Sequence, residues 1–482
     1  MRTHRLFPTL ALLALLTALP AGAAAQSVLV EARTAAGSEV ATIRTDSMRL
    51  LVPLRVLVGG FSAGYVAVGD SLRVGGEGSF VAAGTYNGTT TAPPPASGAG
   101  TRMMWFPEKA AFRAGYVTST QWDDSNIGFL STALGYNTTA SGLASTALGH
   151  QTVASNYYAT ALGASTTASG SASTALGENT TASGVSAVAM GSFTTAGGTS
   201  SSASGYMAQA LGSYSTASGY YALASGDYST AFGAHASASG DASVAFGNSA
   251  VATGNRSMAV GEVTTASGYG AVAFGMNTTA SGGLAAALGY GTVAQAYGSL
   301  VIGQFNVTEG TPTSWTGSDP LFVAGSGTGP TARSNALTLY KNGNLTIAGT
   351  LTQSSDARLK EDIEPLEGTL ERVLRLTPIR YHFRADTGRP GGTQLGLTAQ
   401  EVQPLFPELV KQDGDGYLSL SYANLSAVLV KAVQEQQAEI TSLKERLAAS
   451  EARVARLEAL VEQLVAARPT SHRDSTNPQN PR

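Results

Sequence analysis

Glycine recurs every seven residues through the middle of this chain. Stepping by seven from Gly135 to Gly303 visits 25 positions, and 23 of them are glycine, the exceptions being Asn156 and Ala296. Two residues before each position stands alanine in 24 of the 25 cases, with Val301 the exception. A helix needs apolar residues at 3.6-residue spacing, and so much regularly placed glycine penalises it heavily. A glycine-rich disordered linker would keep no alanine column. The residue before the lattice point alternates large and small. Leu134, Leu148, Leu162, Leu176 and Met190 mark every second unit, with Ser141, Ser155, Ser169 and Ser183 between them. The full period is therefore 14 residues. Between residues 197 and 226 the alternation slips: Leu211 carries the large side chain, and Phe232 restores the first phase.

Runs such as Thr132-Ala133-Leu134 before glycine suit five-residue strands separated by tight turns. Fourteen residues then predict one coil of a narrow β-solenoid with two such strands. Alanine keeps the coil thin, glycine supplies the positive φ of the turns, and Leu, Met or Phe stack in columns between coils. About 12 coils at a strand spacing of about 4.8 Å predict a rod of roughly 60 Å.

Charge divides the chain. Residues 131–303 hold five charged side chains, residues 356–482 hold 34, and the formal net charge is −3. This balance argues against a nucleic-acid binder. The absence of cysteine excludes disulfides and thiolate chemistry. Residues 1–25 have the pattern of a secretory signal: Arg2 and Arg5, an apolar run from Leu10 to Leu19, then Ala23-Ala24-Ala25, with cleavage expected between Ala25 and Gln26. No other segment has the length or apolarity to span a membrane as a helix.

Residues 26–130 form an N-terminal β and cap region with alternating apolar stretches, including Met48 to Val58, and a Pro93-Pro94-Pro95 break. The aromatic cluster Met103-Met104-Trp105-Phe106-Pro107 is expected to close the open end of the solenoid. Asp123, Asp124 and Asn126 hint at calcium but suit solvated turns better. Residues 304–353 predict a β neck, with strands at Pro320–Ala324 and Ala336–Tyr340 and a turn at Asn342-Gly343-Asn344. Gly325 to Pro330 lacks the lysine and helix of a phosphate loop. Neither a metal site nor a cofactor is expected, and the five histidines have the scatter of structural or solvated groups.

The repeat Ser131-Thr132-Ala133-Leu134-Gly135-Tyr136-Asn137-Thr138-Thr139-Ala140-Ser141-Gly142 resembles the head repeats of trimeric autotransporter adhesins. Those form left-handed parallel β-rolls in which three chains pack side by side. Met103 to Phe106, followed by Phe112-Arg113-Ala114-Gly115, resembles an entry module ahead of such heads. No C-terminal membrane β-barrel pattern is visible, so the resemblance does not extend to a self-made membrane anchor.

Downstream, Ser355-Asp356-Ala357-Arg358-Leu359-Lys360-Glu361-Asp362-Ile363 opens a charged segment. It continues through Gly396-Leu397-Thr398-Ala399-Gln400-Glu401-Val402, Pro407-Glu408-Leu409-Val410 and Tyr422-Ala423-Asn424-Leu425. Over residues 354–440 this order resembles the endosialidase-type intramolecular chaperone of phage tailspikes and fibres. The resemblance implies a domain that assembles a trimer and then cuts itself off between Ser355 and Asp356, using Ser355 and Lys360 as a catalytic dyad. A serine hydroxyl needs a base, and lysine acts as one only when burial or nearby positive charge deprotonates it. Behind this domain Val433, Ile440, Leu447, Val454 and Val461 fill one heptad seam, and Leu443, Leu457 and Leu464 the other. A coiled coil is thus expected over residues 425–468, before a disordered tail at residues 469–482.

The expected fold is mainly β: a trimeric parallel β-roll, a β neck, a small α+β chaperone domain and a C-terminal coiled coil. The expected function is an exported, cell-surface or extracellular bacterial fibre of adhesin type. Its partners would be two further copies of itself and a surface, matrix or glycan ligand. Alternatives are a phage-derived receptor-binding tail fibre, a glycan-cleaving tailspike, or an ice- or mineral-binding solenoid, the last suggested by Thr138-Thr139, Thr180-Thr181 and Thr264-Thr265. With leader and chaperone removed, residues 26–355 would keep 25 of the 61 charges.

Overall fold

The computed structural model describes residues 29–31, 42–44, 82, 84–86, 88 and 93–467. The signal segment with its Ala25–Gln26 junction, the Met48 to Val58 stretch and residues 469–482 lie outside these. Two compact units divide the chain at Val81. In the first, Leu29–Glu31 pairs antiparallel with Thr42–Arg44.

The second unit is dominated by a β-solenoid of about twelve turns. Each coil has one long strand, such as Thr146–His150, and one strand of only two residues, such as Val153–Ala154. Long strands pair in parallel from Thr132–Tyr136 to Leu300–Gln304, and the twelve short ones form a second parallel sheet. The two strands per coil are therefore unequal, which corrects the expectation of two five-residue strands. Alanines of both strands point inward and are fully buried, as at Ala147 and Ala154. Beside them runs a second buried column of Ser, Thr or Ala, one per half-coil, such as Ser145 and Thr152. Ser145 and Ser173 donate from Oγ to the carbonyls of Gly142 and Gly170, at 2.8 and 2.7 Å.

The lattice glycines do not supply the left-handed turns expected of them; every second one has positive φ, but along the long strands, as at Gly135 and Gly149. From Asn137 to Gly298, 24 positions at seven-residue spacing have positive φ, and 21 of them are not glycine. Left-handed backbone costs an ordinary residue about 1–2 kcal/mol. Each such residue gives its N–H to the coil before; Gln151 reaches the Tyr136 carbonyl at 2.7 Å and Tyr158 that of Leu143 at 2.8 Å. That bond and the neighbouring coils offset the cost. The lattice glycines are instead demanded by close approach between coils. A Cβ on Gly163 would overlap the carbonyl oxygen of Gly177, and one on Gly170 that of Gly184. Only the first of these two also has a positive φ, +123°.

Leu, Met and Phe do form a column, but on the outside. Leu134, Leu148, Leu162, Leu176 and Met190 pair in register, and Phe232 stacks on Phe246 at 5.1 Å. Met190 is 40% exposed and Phe274 55%. Through the slipped region the frame holds: Met190, Ser204, Ser218 and Phe232 follow one another along the column. Leu211 emerges on the opposite, short-strand side, where it is 44% exposed. The threonine pairs present no flat array, since Thr138, Thr180 and Thr264 are fully buried.

An antiparallel hairpin, Gly100–Phe106 with Ala111–Val117, closes the first coil by pairing in parallel with Thr132–Tyr136. Arg113 enters the alanine column opposite Ala133 and is fully buried. Its guanidinium donates to the Ser131 carbonyl (2.9 Å), Ser131 Oγ (2.8 Å) and the Ala140 carbonyl (2.9 Å). Trp122 is also buried and donates from Nε1 to the Thr138 carbonyl at 2.9 Å. Asp123, Asp124 and Asn126 diverge: Asp123 accepts from Gly98 N–H, Asp124 pairs with Lys109 at 2.9 Å, and Asn126 donates to the Thr120 carbonyl. Among the described residues no cluster of three metal-ligating side chains exists. At the far end Pro320–Ser326 continues the parallel ladder, followed by antiparallel Asn335–Tyr340 and Leu345–Ile347 around the Asn342-Gly343-Asn344 turn.

Candidate functional site

Residues 348–368 contain no strand and little helix, and they are almost entirely exposed. Within them, Asp356 begins a single 3-10 turn, Ala357–Leu359, by accepting from the Arg358 N–H at 2.9 Å. The Arg358 guanidinium closes on the same carboxylate at 2.6 Å. These two contacts, the guanidinium first, hold the Asp356 carboxyl below the usual carboxylate range, and the carboxylate in turn raises Arg358. The turn brings Lys360 back over the chain. Lys360 Nζ donates to Ser355 Oγ at 2.8 Å, so the two predicted dyad members meet across five residues. Both are exposed in the single chain. In this geometry the ammonium is a donor; the contact serves nucleophile activation only after that proton leaves.

The segment leads into a small α+β domain. Its helices are α1 (Thr369–Val373), α2 (Ala399–Val402) and α3 (Tyr422–Ala466). Two hairpins accompany them, Ile379–Tyr381 with Gln394–Gly396 and Val410–Gln412 with Leu418–Leu420. Val402, Leu405, Phe406, Leu409 and Val428 make the core, and Arg372 lies over the Phe406 ring at 4.7 Å. Glu435 on α3 accepts from the N–H of Leu370 (2.7 Å) and from Thr369 Oγ1 (3.2 Å), tying α1 to the long helix. The Leu370 N–H is the main cause that lowers this carboxyl below its ordinary range. Beyond its first turns α3 leaves the domain. The heptad residues Val433, Leu447, Leu457 and Leu464 are 59–65% exposed.

Two features escaped reading along the sequence. Arg113 was visible only as part of a motif, and nothing local marks it as the plug of the first coil. Asp227 and Asp241 are one period apart, which the fold converts into adjacent rungs of one turn column.

Residues 355–411 match the family described as chaperone of endosialidase. Six windows from residue 127 to residue 278 match the YadA head domain repeat. The long tail fiber protein Gp37 of Enterobacteria phage Ox2 is 34% identical over 113 residues, 22% of this chain and 45% of that protein. The Gp37 of Enterobacteria phage K3 is 32% identical over 113 residues, 22% of this chain and 9% of its own length. That of Salmonella phage S16 is 31% identical over 123 residues, 23% and 16% of the two chains. The chain thus spans less than half the length of the curated relatives it matches. Among the described residues no helix is long and apolar enough to cross a membrane. Repeating coil and charged C-terminal domain together identify a mainly β chain built of YadA head repeats followed by a chaperone-of-endosialidase domain.

Proposed function

We propose that this chain is the protomer of an exported trimeric fibre of adhesin type. Its C-terminal domain is an intramolecular trimerisation chaperone that severs itself at Ser355–Asp356. One observation carries the reading: two apolar surfaces, the outer column of the solenoid and the seam of α3, run along their elements uncovered within the chain. Such surfaces call for further copies. The number three follows the likeness of the repeats and the chaperone to their families. Assembly would bury Lys360, favour its neutral form and let it accept the Ser355 hydroxyl proton. The net step is hydrolysis: the Ser355 carbonyl carbon to Asp356 nitrogen bond breaks, the new carboxyl takes the hydroxyl of water and the Asp356 amine takes a proton. Cleavage then reports completed assembly, and the glycine-alanine rod remains.

A phage-derived tail fibre is the second reading, favoured by the Gp37 matches. The leader-like residues 1–25 favour export. The decisive experiment is intact mass together with oligomer mass of the purified protein. Expected are fragments ending at Ser355 and beginning at Asp356, with the rod trimeric. Ser355→Ala and Lys360→Ala variants should stay whole but still assemble. A full-length monomer would overturn the proposal, as would an Ala variant that still separates.

A further inference from the structure

Of the five charged side chains between residues 131 and 303, three gather on one edge of the rod: Asp227, Asp241 and Arg256. This edge is the turn from the short strand to the next long one. The pairs Asp227-Tyr228, Asp241-Ala242 and Asn255-Arg256 occupy the same two turn positions in successive coils. Tyr214, one coil earlier, stacks on Tyr228 with ring centroids 5.0 Å apart and planes at 7°. The two tyrosines are 54% and 64% exposed. There the stack stops, because the next residue of the column is Ala242, itself exposed. Arg256 follows and leans away, its guanidinium donating to Tyr269 Oη at 2.5 Å. About 9.6 Å, two strand spacings, therefore separates the Tyr228 backbone from that of Arg256 above an alanine floor. One carboxylate oxygen of Asp227 accepts from Ser213 N–H (2.8 Å), and one of Asp241 from Asp227 N–H (3.4 Å). The turn does not require acids for this, since Leu143, Val185 and Thr199 hold the same position elsewhere.

We propose that this slot binds a single hexopyranose ring of a neutral glycan. A ring seated midway lies about 4.8 Å from the rungs on either side, a distance at which its C–H face covers the free face of Tyr228. The second oxygens of Asp227 and Asp241 accept from ring hydroxyls, and the Asn255 side-chain N–H groups donate to them. Two carboxylates against one guanidinium leave the slot net negative, which disfavours acidic sugars. The assignment rests on reading the solenoid as the receptor-facing part of a fibre.

The test titrates the full-length protein with neutral hexasaccharides of glucose, galactose and mannose, read by saturation-transfer NMR and calorimetry. At least one should bind, and Tyr228→Ala should weaken it at least about tenfold while Tyr228→Phe retains most of it. The column carries tyrosine at positions 158, 214 and 228, so Ala242→Tyr should fold normally, extend the stack and abolish binding. Binding to none of the three sugars, or binding unchanged in Ala242→Tyr, overturns the proposal. An Ala242→Tyr protein with altered oligomer mass assigns the slot to a second copy and also overturns it. Mass and cleavage of the same samples keep the outcomes apart. An assembled, processed protein that binds no sugar refutes the slot alone; an unprocessed monomer that binds sugar refutes the fibre.

Discussion

Arg113 occupies a column otherwise filled by alanine, and burial lowers its guanidinium to about 10, still charged throughout the neutral range. The charge is tolerable because the Ser131 carbonyl and hydroxyl and the Ala140 carbonyl accept its donors, the two carbonyls in addition to the N–H groups of Phe112 and Gly128. Arg113→Ala would remove these three charge-assisted bonds and leave a cavity in the first coil. It should lower stability by about 2–4 kcal/mol in thermal unfolding, with the loss concentrated in the first coils. The two kinds of repeat position should respond in opposite directions. Gly163→Ala sets a Cβ against the Gly177 carbonyl at a φ of +123°, and should cost about 3 kcal/mol or more. Ala172→Gly lies at a left-handed position with φ 55°, where relief of strain exceeds the added chain entropy. It should leave the melting temperature unchanged or raise it.

At the scale of elements, the outer column of the long strands is apolar except at Ser204 and Ser218, whose hydroxyls bond each other at 3.0 Å. Because this face lies outside the coil, Phe246→Asp should leave circular dichroism intact yet reduce assembly, seen as a shift from trimer to monomer in sedimentation. The α1–α3 contact has its own pH signature. Glu435 is lowered in the folded domain, so its contribution is full above the ordinary glutamate range, about pH 4.3, and fades as pH falls through the lower folded value. The protection factor of the Leu370 amide, taken relative to its intrinsic exchange rate at each pH, should fall on acidification, and Glu435→Gln should remove that dependence. These elements also show what the chain discloses in one dimension. The 14-residue frame is legible because identical neighbours stack on identical neighbours, and the Ser355–Lys360 spacing because a single turn closes it. The inequality of the two strands is not. Gly163 and Gly170 look alike in sequence, yet the first lies within a long strand and the second begins a turn. The Tyr228 slot is equally hidden, since it is made by an alanine between two rungs.

At the scale of the whole molecule, seven and fourteen have different consequences. Every coil contributes one rung to each sheet, so deleting residues 160–173 removes one complete coil and joins Ala159 to Thr174, an interior residue followed by the first residue of a long strand. The ladder closes over the gap, the outer column passes from Leu148 to Leu176, and the rod shortens by about 4.8 Å. Such a protein should assemble and process as the parent does. Deleting only residues 160–166 preserves the glycine and alanine lattice just as well. It nevertheless sets Thr167-Ala168-Ser169-Gly170 where Thr160-Ala161-Leu162-Gly163 stood, and Leu176 then falls on the short-strand side. From there on the apolar column changes face, as it does locally at Leu211, but without a return at Phe232. Small-angle scattering and circular dichroism should therefore find a β-rich rod from both deletions. Only the 14-residue deletion should sediment as a trimer and release its C-terminal fragment. Equal assembly of the two would mean that the lattice alone, and not the outer column, holds the copies together.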